Sequence, residues 1–199
     1  ARGDALVLCR WDDDAMPLAV TIEPPRIPDA LQDEFDPQAP AVYTEAARDA
    51  LATWERELGG LVRFRLVPPD EAVLRIALVG EVAPEPEPDV AVLGATALGG
   101  ACEVGEALEA APGAGGAAPE AVRFDIRFNV SEVRLYVADR HGLLPPDQVR
   151  RNALHEVGHA LGMRGHSPVP ADLMYEVARD RPGADAPSPQ DVNSFLSLY

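Results

Sequence analysis

The run His155-Glu156-Val157-Gly158-His159 contains residues whose types and spacing could carry a metal-assisted hydrolysis. Two histidines four apart on a helix lie about one turn from each other on one face, so both imidazoles reach a common ion. Zinc suits such a pair, because a catalytic zinc takes three protein ligands and keeps one position open for water. Glu156, about 100° round the helix from His155, is placed to act as general base toward water whose pKa a metal lowers to about 7. A third ligand must come from downstream. His166 is the first candidate, since Gly162 lets the chain leave the helix through a left-handed residue and turn back. Asp172 and Glu176 are alternatives, because carboxylates also ligate zinc. His141 precedes the helix beside Gly142 and is read as solvated and uninvolved.

That chemistry needs a helix beneath the motif. Pro145-Pro146-Asp147 is a suitable start, with proline in the first turn and an early acid at the positive end of the helix dipole. Val149, Ala153, Leu154, Val157, Ala160 and Leu161 then give an apolar face, and Gly162 ends it. A second helix is predicted over residues 39–58, where Val42, Ala46, Ala50, Leu51, Trp54 and Leu58 recur at helical spacing before Gly59-Gly60. Alternating patterns predict strands over residues 17–22, 61–67, 72–79 and 90–97, with β-like runs at 124–128 and 133–137. The proline-and-acid stretch 82–89 reads as a surface loop. The Gly/Ala/Pro-rich stretch 99–119 lacks the apolar content to pack and is expected to be largely mobile. Ser188-Pro189-Gln190-Asp191 is a capped entry to a last helix with Val192, Phe195, Leu196 and Tyr199 on its apolar side.

Composition narrows the partners. A chain of 199 residues with 47% hydrophobic and 25% charged residues has the make-up of one globular domain. With 33 acidic against 17 basic residues, its net charge of −16 repels phosphate backbones and anionic headgroups, so nucleic acid is not expected. No apolar run is long enough to span a bilayer, and membrane insertion is not expected either. A monomer is expected. The start at Ala1 has no signal-peptide character; a secreted or cell-envelope location after trimming is the expectation. Cys9 and Cys102 allow one disulfide or two thiols, a choice that spacing leaves open.

The thirteen residues His155-Glu156-Val157-Gly158-His159-Ala160-Leu161-Gly162-Met163-Arg164-Gly165-His166-Ser167 resemble the extended zinc signature of the metzincin metalloproteases, most closely the matrixin, matrix-metalloprotease-like branch. One departure is plain: the family places its third histidine where Gly165 stands, and here His166 follows one residue later. Gly165 is expected to absorb the insertion as a bulge. Asp172-Leu173-Met174-Tyr175 resembles the family's methionine turn. The resemblance implies that Met174 forms a floor under the imidazoles and that Tyr175 helps line the pocket for the residue after the scissile bond. Asp191 resembles an aspartate that buttresses the active-site helix, and it equally suits a capping role. Cys9 lies in Leu8-Cys9-Arg10-Trp11, which does not resemble the family's inhibitory cysteine motif.

The resemblance implies an α+β fold: a twisted, mostly parallel sheet of about five strands, two long helices and a small C-terminal lobe ending in a helix. The N-terminal subdomain would cover about 1–162 and the C-terminal one about 163–199. The implied activity is a zinc endopeptidase with one catalytic ion, Glu156 as base, and a protein or peptide substrate paired to an exposed strand edge within 90–98. Two rivals stand beside it: a zinc-binding recognition module without catalysis, and a metallohydrolase of a non-protein amide. Glu156 argues against the first, because a purely structural zinc site takes four protein ligands and needs no base.

Overall fold

A computed structural model of the chain describes residues 7–27, 31, 39–86, 91–107, 122–176 and 184–199, with the side chains of residues 7–9, 39, 99–107 and 122–130 outside that description. In chain order the elements are β1 (Val7–Trp11), β2 (Leu18–Glu23), α1 (Ala39–Glu57), β3 (Phe64–Leu66), β4 (Leu74–Val82), β5 (Gly94–Ala107), β6 (Val122–Asp139), β7 (Gly142–Leu143), α2 (Pro146–Ala160) and α3 (Pro189–Leu196). The architecture is α+β: a mixed sheet, two long helices and a C-terminal helix.

Among the described residues seven strands form one sheet, against the five or so expected. The β1–β6, β2–β3, β2–β4 and β4–β6 pairs are parallel; only β5 and β7 pair antiparallel, both with β6. Parallel neighbours need a crossover, and α1 supplies the one between β2 and β3. The two β-like runs flanking Asn129 are a single strand, β6, long enough to pair β1 through residues 122–126 and β4 through 131–138. β1 itself went unread in the sequence.

The largest correction concerns β5. Residues 99–107, part of the stretch expected to lack the apolar content to pack and to be largely mobile, continue β5 as far as Ala107, with register irregularities at Gly99/Gly100 and between Val104 and Ala107. Backbone pairing to β6 needs no apolar side chains, and a bulge accommodates what a poor strand sequence cannot keep in register. The rest of that stretch, 108–119, lies outside the described residues. Among the described residues β5 pairs with β6 alone, so its other edge carries no strand. Cys9 sits on β1 and Cys102 on β5, on opposite sides of β6.

Alternation in β4 sends Leu74, Ile76 and Leu78 into the core, where they meet Val133, Leu135 and Val137 of β6. The helices pack on this layer. Trp54 of α1 is wholly buried, donates from Nε1 to the Leu154 carbonyl at 2.9 Å, and packs edge-on against Phe195 of α3 at 4.5 Å. One indole therefore ties all three helices together. Arg150 of α2 reaches Asp49 and Thr53 on α1 and donates to the Asp185 carbonyl at 2.7 Å.

Candidate metal centre

Helix α2 begins as its sequence requires, with Pro146 at its first position and Asp147 in the first turn. Its end is built with equal care. Gly162 adopts φ 120°, its amide bonds to the His159 carbonyl at 3.0 Å, and the Met163 amide bonds to the Gly158 carbonyl at 3.3 Å. This paired closure at a left-handed glycine satisfies the last helical carbonyls and reverses the chain. Two more carbonyls of the same end are taken by side chains: Trp11 Nε1 donates to Ala160 O at 2.8 Å and Tyr199 Oη to Leu161 O at 2.9 Å.

The reversal brings three imidazoles together. His159 Nε2 lies 3.1 Å from His155 Nε2 and 3.2 Å from His166 Nε2. The three residues form a group whose ligand atoms all fall within 4.8 Å, and neither Asp172 nor Glu176 belongs to it. His155 is buried, His159 half-buried and His166 exposed, so the cluster opens from the helix toward solvent. Gly165, expected to bulge, takes no left-handed conformation, and a Cβ there would meet nothing within 4 Å. The freedom that the turn needs is spent at Gly162.

The donor set fits a metal on chemical grounds. His155 Nδ1 lies 2.9 Å from the Leu173 carbonyl and His159 Nδ1 lies 2.5 Å from the Met163 carbonyl. A carbonyl only accepts, so both rings carry their proton on Nδ1 and leave Nε2 as a lone pair. Two lone pairs 3.1 Å apart repel unless a cation lies between them. Nitrogens bound tetrahedrally to zinc at about 2.0–2.1 Å stand roughly 3.3–3.4 Å from each other, close to the spacing observed. His155, His159 and His166 thus form a site able to hold a metal ion, of the make-up found in zinc proteases generally.

The sequence-picked residues around this cluster fall in distinct places. Met174 is fully buried under α2, and its Sδ lies 2.6 Å from where a Cβ on Gly158 would stand. Only glycine at 158 lets the methionine approach the helix between His155 and His159. Asp191 takes the capping role and also reaches the Leu173-Met174 turn rather than α2 itself. It closes a capping box with Ser188, and its carboxylate accepts from the amides of Leu173 at 2.9 Å and Met174 at 3.4 Å. Asp172 is buried and accepts from Ser167 Oγ at 2.6 Å, holding the loop rather than joining the ligands. Tyr175 is half-buried and bridges to Ser167. His141 is exposed and its ring meets Arg140.

Glu156 is 7% exposed, and its carboxylate faces β5. Thr96 Oγ1 lies 2.7 Å from Glu156 Oε2 and 2.9 Å from Glu156 O. A cleft of about 520 Å³ runs past these groups, lined by Gly94, Thr96 and Leu98 of β5 on one side and by His159, Met163, Arg164 and His166 on the other. Sequence reasoning passed over Gly94 and Thr96 because a threonine among small strand residues carries no chemical signature by itself. The carbonyls of Leu173 and Met163 escaped it for a simpler reason: backbone acceptors are the same in every residue. No helix among the described residues is long and apolar enough to cross a membrane. No protein-family model matches the chain, and no curated protein matches it either.

Proposed function

We propose that this chain is a zinc-dependent endopeptidase of the metzincin type, nearest the matrixin branch, acting on extended polypeptide outside the cytosol. The observation that carries the reading is the convergence of three imidazole nitrogens, two of which, on His155 and His159, are fixed as lone-pair donors, with the Glu156 carboxylate on the same helix turn facing the same cleft. Three ligands and a neighbouring carboxylate suit a hydrolytic site; a structural one takes four ligands.

Zinc held by His155, His159 and His166 would supply Lewis acidity toward a substrate carbonyl and toward water. The chain's own residues do the rest. Glu156 accepts a proton from the attacking water and returns it to the leaving amine, so one carboxylate serves both halves of the reaction. The open edge of β5 offers main-chain donors and acceptors to an extended peptide laid along the cleft. Met174 and Asp191 hold the floor and the His155 contact in place. Tyr175, which follows Met174 in the turn, borders the region assigned to the residue after the scissile bond.

The test is hydrolysis of an unfolded protein such as reduced casein by zinc-loaded wild type, with and without a chelator, beside Glu156→Ala. Wild type should cleave, the chelator should abolish cleavage, and Glu156→Ala should bind zinc normally while losing at least about 100-fold in rate. Equal inertness of wild type and variant at full zinc occupancy sinks the enzyme reading, and mass spectrometry of the products separates peptide from other amide substrates.

A further inference from the structure

Glu156 has a long side chain with three rotatable bonds, and nothing in the His155–His159 motif itself fixes where its carboxylate points. The neighbouring strand does. Gly94 and Thr96 are two apart on β5, so they occupy the same face of the strand, and pairing to Leu135 and Val133 of β6 sets their height against α2. A Cβ at Gly94 would lie 2.6 Å from Glu156 Cγ, 2.7 Å from Oε1 and 2.9 Å from Cδ, closer than real Cβ atoms approach. The carboxylate therefore lies flat against the Gly94 backbone, in space that any other residue would fill. Two residues along, Thr96 Oγ1 meets Oε2 at 2.7 Å, in the range of a charge-assisted bond.

We propose that Gly94 and Thr96 are positioning residues for Glu156: the glycine opens the slot in which the carboxylate lies, and the threonine hydroxyl holds one carboxylate oxygen so that the other is presented to the cleft. The hydroxyl has a single proton and two acceptors within reach. The carboxylate wins it, since its contact is shorter than the 2.9 Å to Glu156 O and a charged acceptor bonds more strongly than a neutral one. Both acceptors belong to Glu156, so the hydroxyl acts on the base and not on the imidazoles. Because β5 also lines the cleft, one element would set both the base and the line along which a peptide would lie.

This inference rests on the hydrolytic reading of the site, and its test separates the two. Zinc-loaded wild type, Thr96→Val, Thr96→Ser and Gly94→Ala are compared for casein cleavage, for zinc affinity by chelator competition, and for binding of acetohydroxamate, a small zinc chelator that also shares a proton with a neighbouring carboxylate. Thr96→Val keeps the shape and removes the hydroxyl. It should lower kcat by about 10- to 100-fold with KM and zinc affinity unchanged, and weaken acetohydroxamate; Thr96→Ser should restore most of both. Gly94→Ala should lower kcat in the same way by displacing the carboxylate. Wild-type kcat in Thr96→Val overturns the proposal and leaves the protease reading intact. So does equal impairment of the serine and valine variants, or loss of zinc in step with activity. If wild type cleaves nothing yet acetohydroxamate binding depends on the Thr96 hydroxyl, the positioning role stands and the protease reading falls.

Discussion

Asp191 and His155 lie on different helices, yet a single residue connects them: the Leu173 amide donates to Asp191 Oδ2 at 2.9 Å, and the Leu173 carbonyl accepts from His155 Nδ1 at 2.9 Å. The capping carboxylate of α3 is thereby linked through one residue to a ring of the histidine cluster on α2. Outer partners of this kind fix the tautomer and direction of a ligand.

Asp191→Ala is expected to act on both ends of that relay. It removes the acceptor for the buried Leu173 amide and for the Ser188 amide at 2.8 Å, which costs about 1–3 kcal/mol for each buried donor left unsatisfied. Zinc affinity should fall by about 10- to 100-fold. Denaturant titration of the metal-free protein and chelator competition measure the two effects separately; unchanged affinity in a folded variant would break the proposed link to His155.

The third ligand is testable by thermal stability. Binding to the folded state alone raises stability by about 4 kcal/mol at a thousandfold excess over Kd, so zinc should raise the Tm of wild type. His166→Ala should lose most of that rise, whereas Asp172→Asn should keep it, because Asp172 bonds Ser167 and lies outside the histidine group. The reverse pattern would make Asp172 the ligand.

At Gly158 two effects oppose each other. Alanine gains about 1 kcal/mol of helix propensity over glycine, but its Cβ would stand 2.6 Å from Met174 Sδ and 3.2 Å from Trp54 Cζ2. Overpacking a buried contact costs about 1–3 kcal/mol, so Gly158→Ala should destabilise on balance. In a Met174→Ala background the same change should stabilise, giving a non-additive double-mutant cycle.

Alkaline pH probes the far end of α2. Burial is the main cause that raises the Tyr199 phenol above its ordinary 10.0, with Asp13 adding to it and the Trp11 backbone bond and Arg10 acting the other way. The fold therefore holds the neutral phenol. Its contribution is whole below the unfolded value of about 10 and is lost as pH rises from there toward the folded value. Burial raises Tyr43 in the same direction. Tyr199→Phe should cost about 1 kcal/mol near neutrality through the lost bond to Leu161 O, and should make Tm fall less steeply than wild type above pH of about 10.

Much of the scaffold was readable because it rests on local periodicity. The α2 helix, its proline start and its Gly162 stop follow from apolar spacing and from backbone limits that only glycine escapes. The α1 helix and the β2 and β4 strands were legible for the same reason. β1 and the second half of β5 were not, since each owes its strand state to pairing with β6 and not to its own residue pattern. The conformational freedom foreseen for Gly165 is used at Gly162 instead, which alone of the two has a positive φ.

By itself the sequence determined which atoms could bind a metal and that two of them share a helix face, because i and i+4 on a helix leave no alternative. It also marked His166, Met174 and Asp191 as residues to watch. Tertiary structure alone decided that His166 closes the triad rather than a carboxylate, that two backbone carbonyls fix the imidazole tautomers, and that Gly94 and Thr96 hold the Glu156 carboxylate. The Thr96–Glu156 relation joins residues 60 positions apart, and a contact across that distance is set by how sheet and helix pack, which no local pattern encodes.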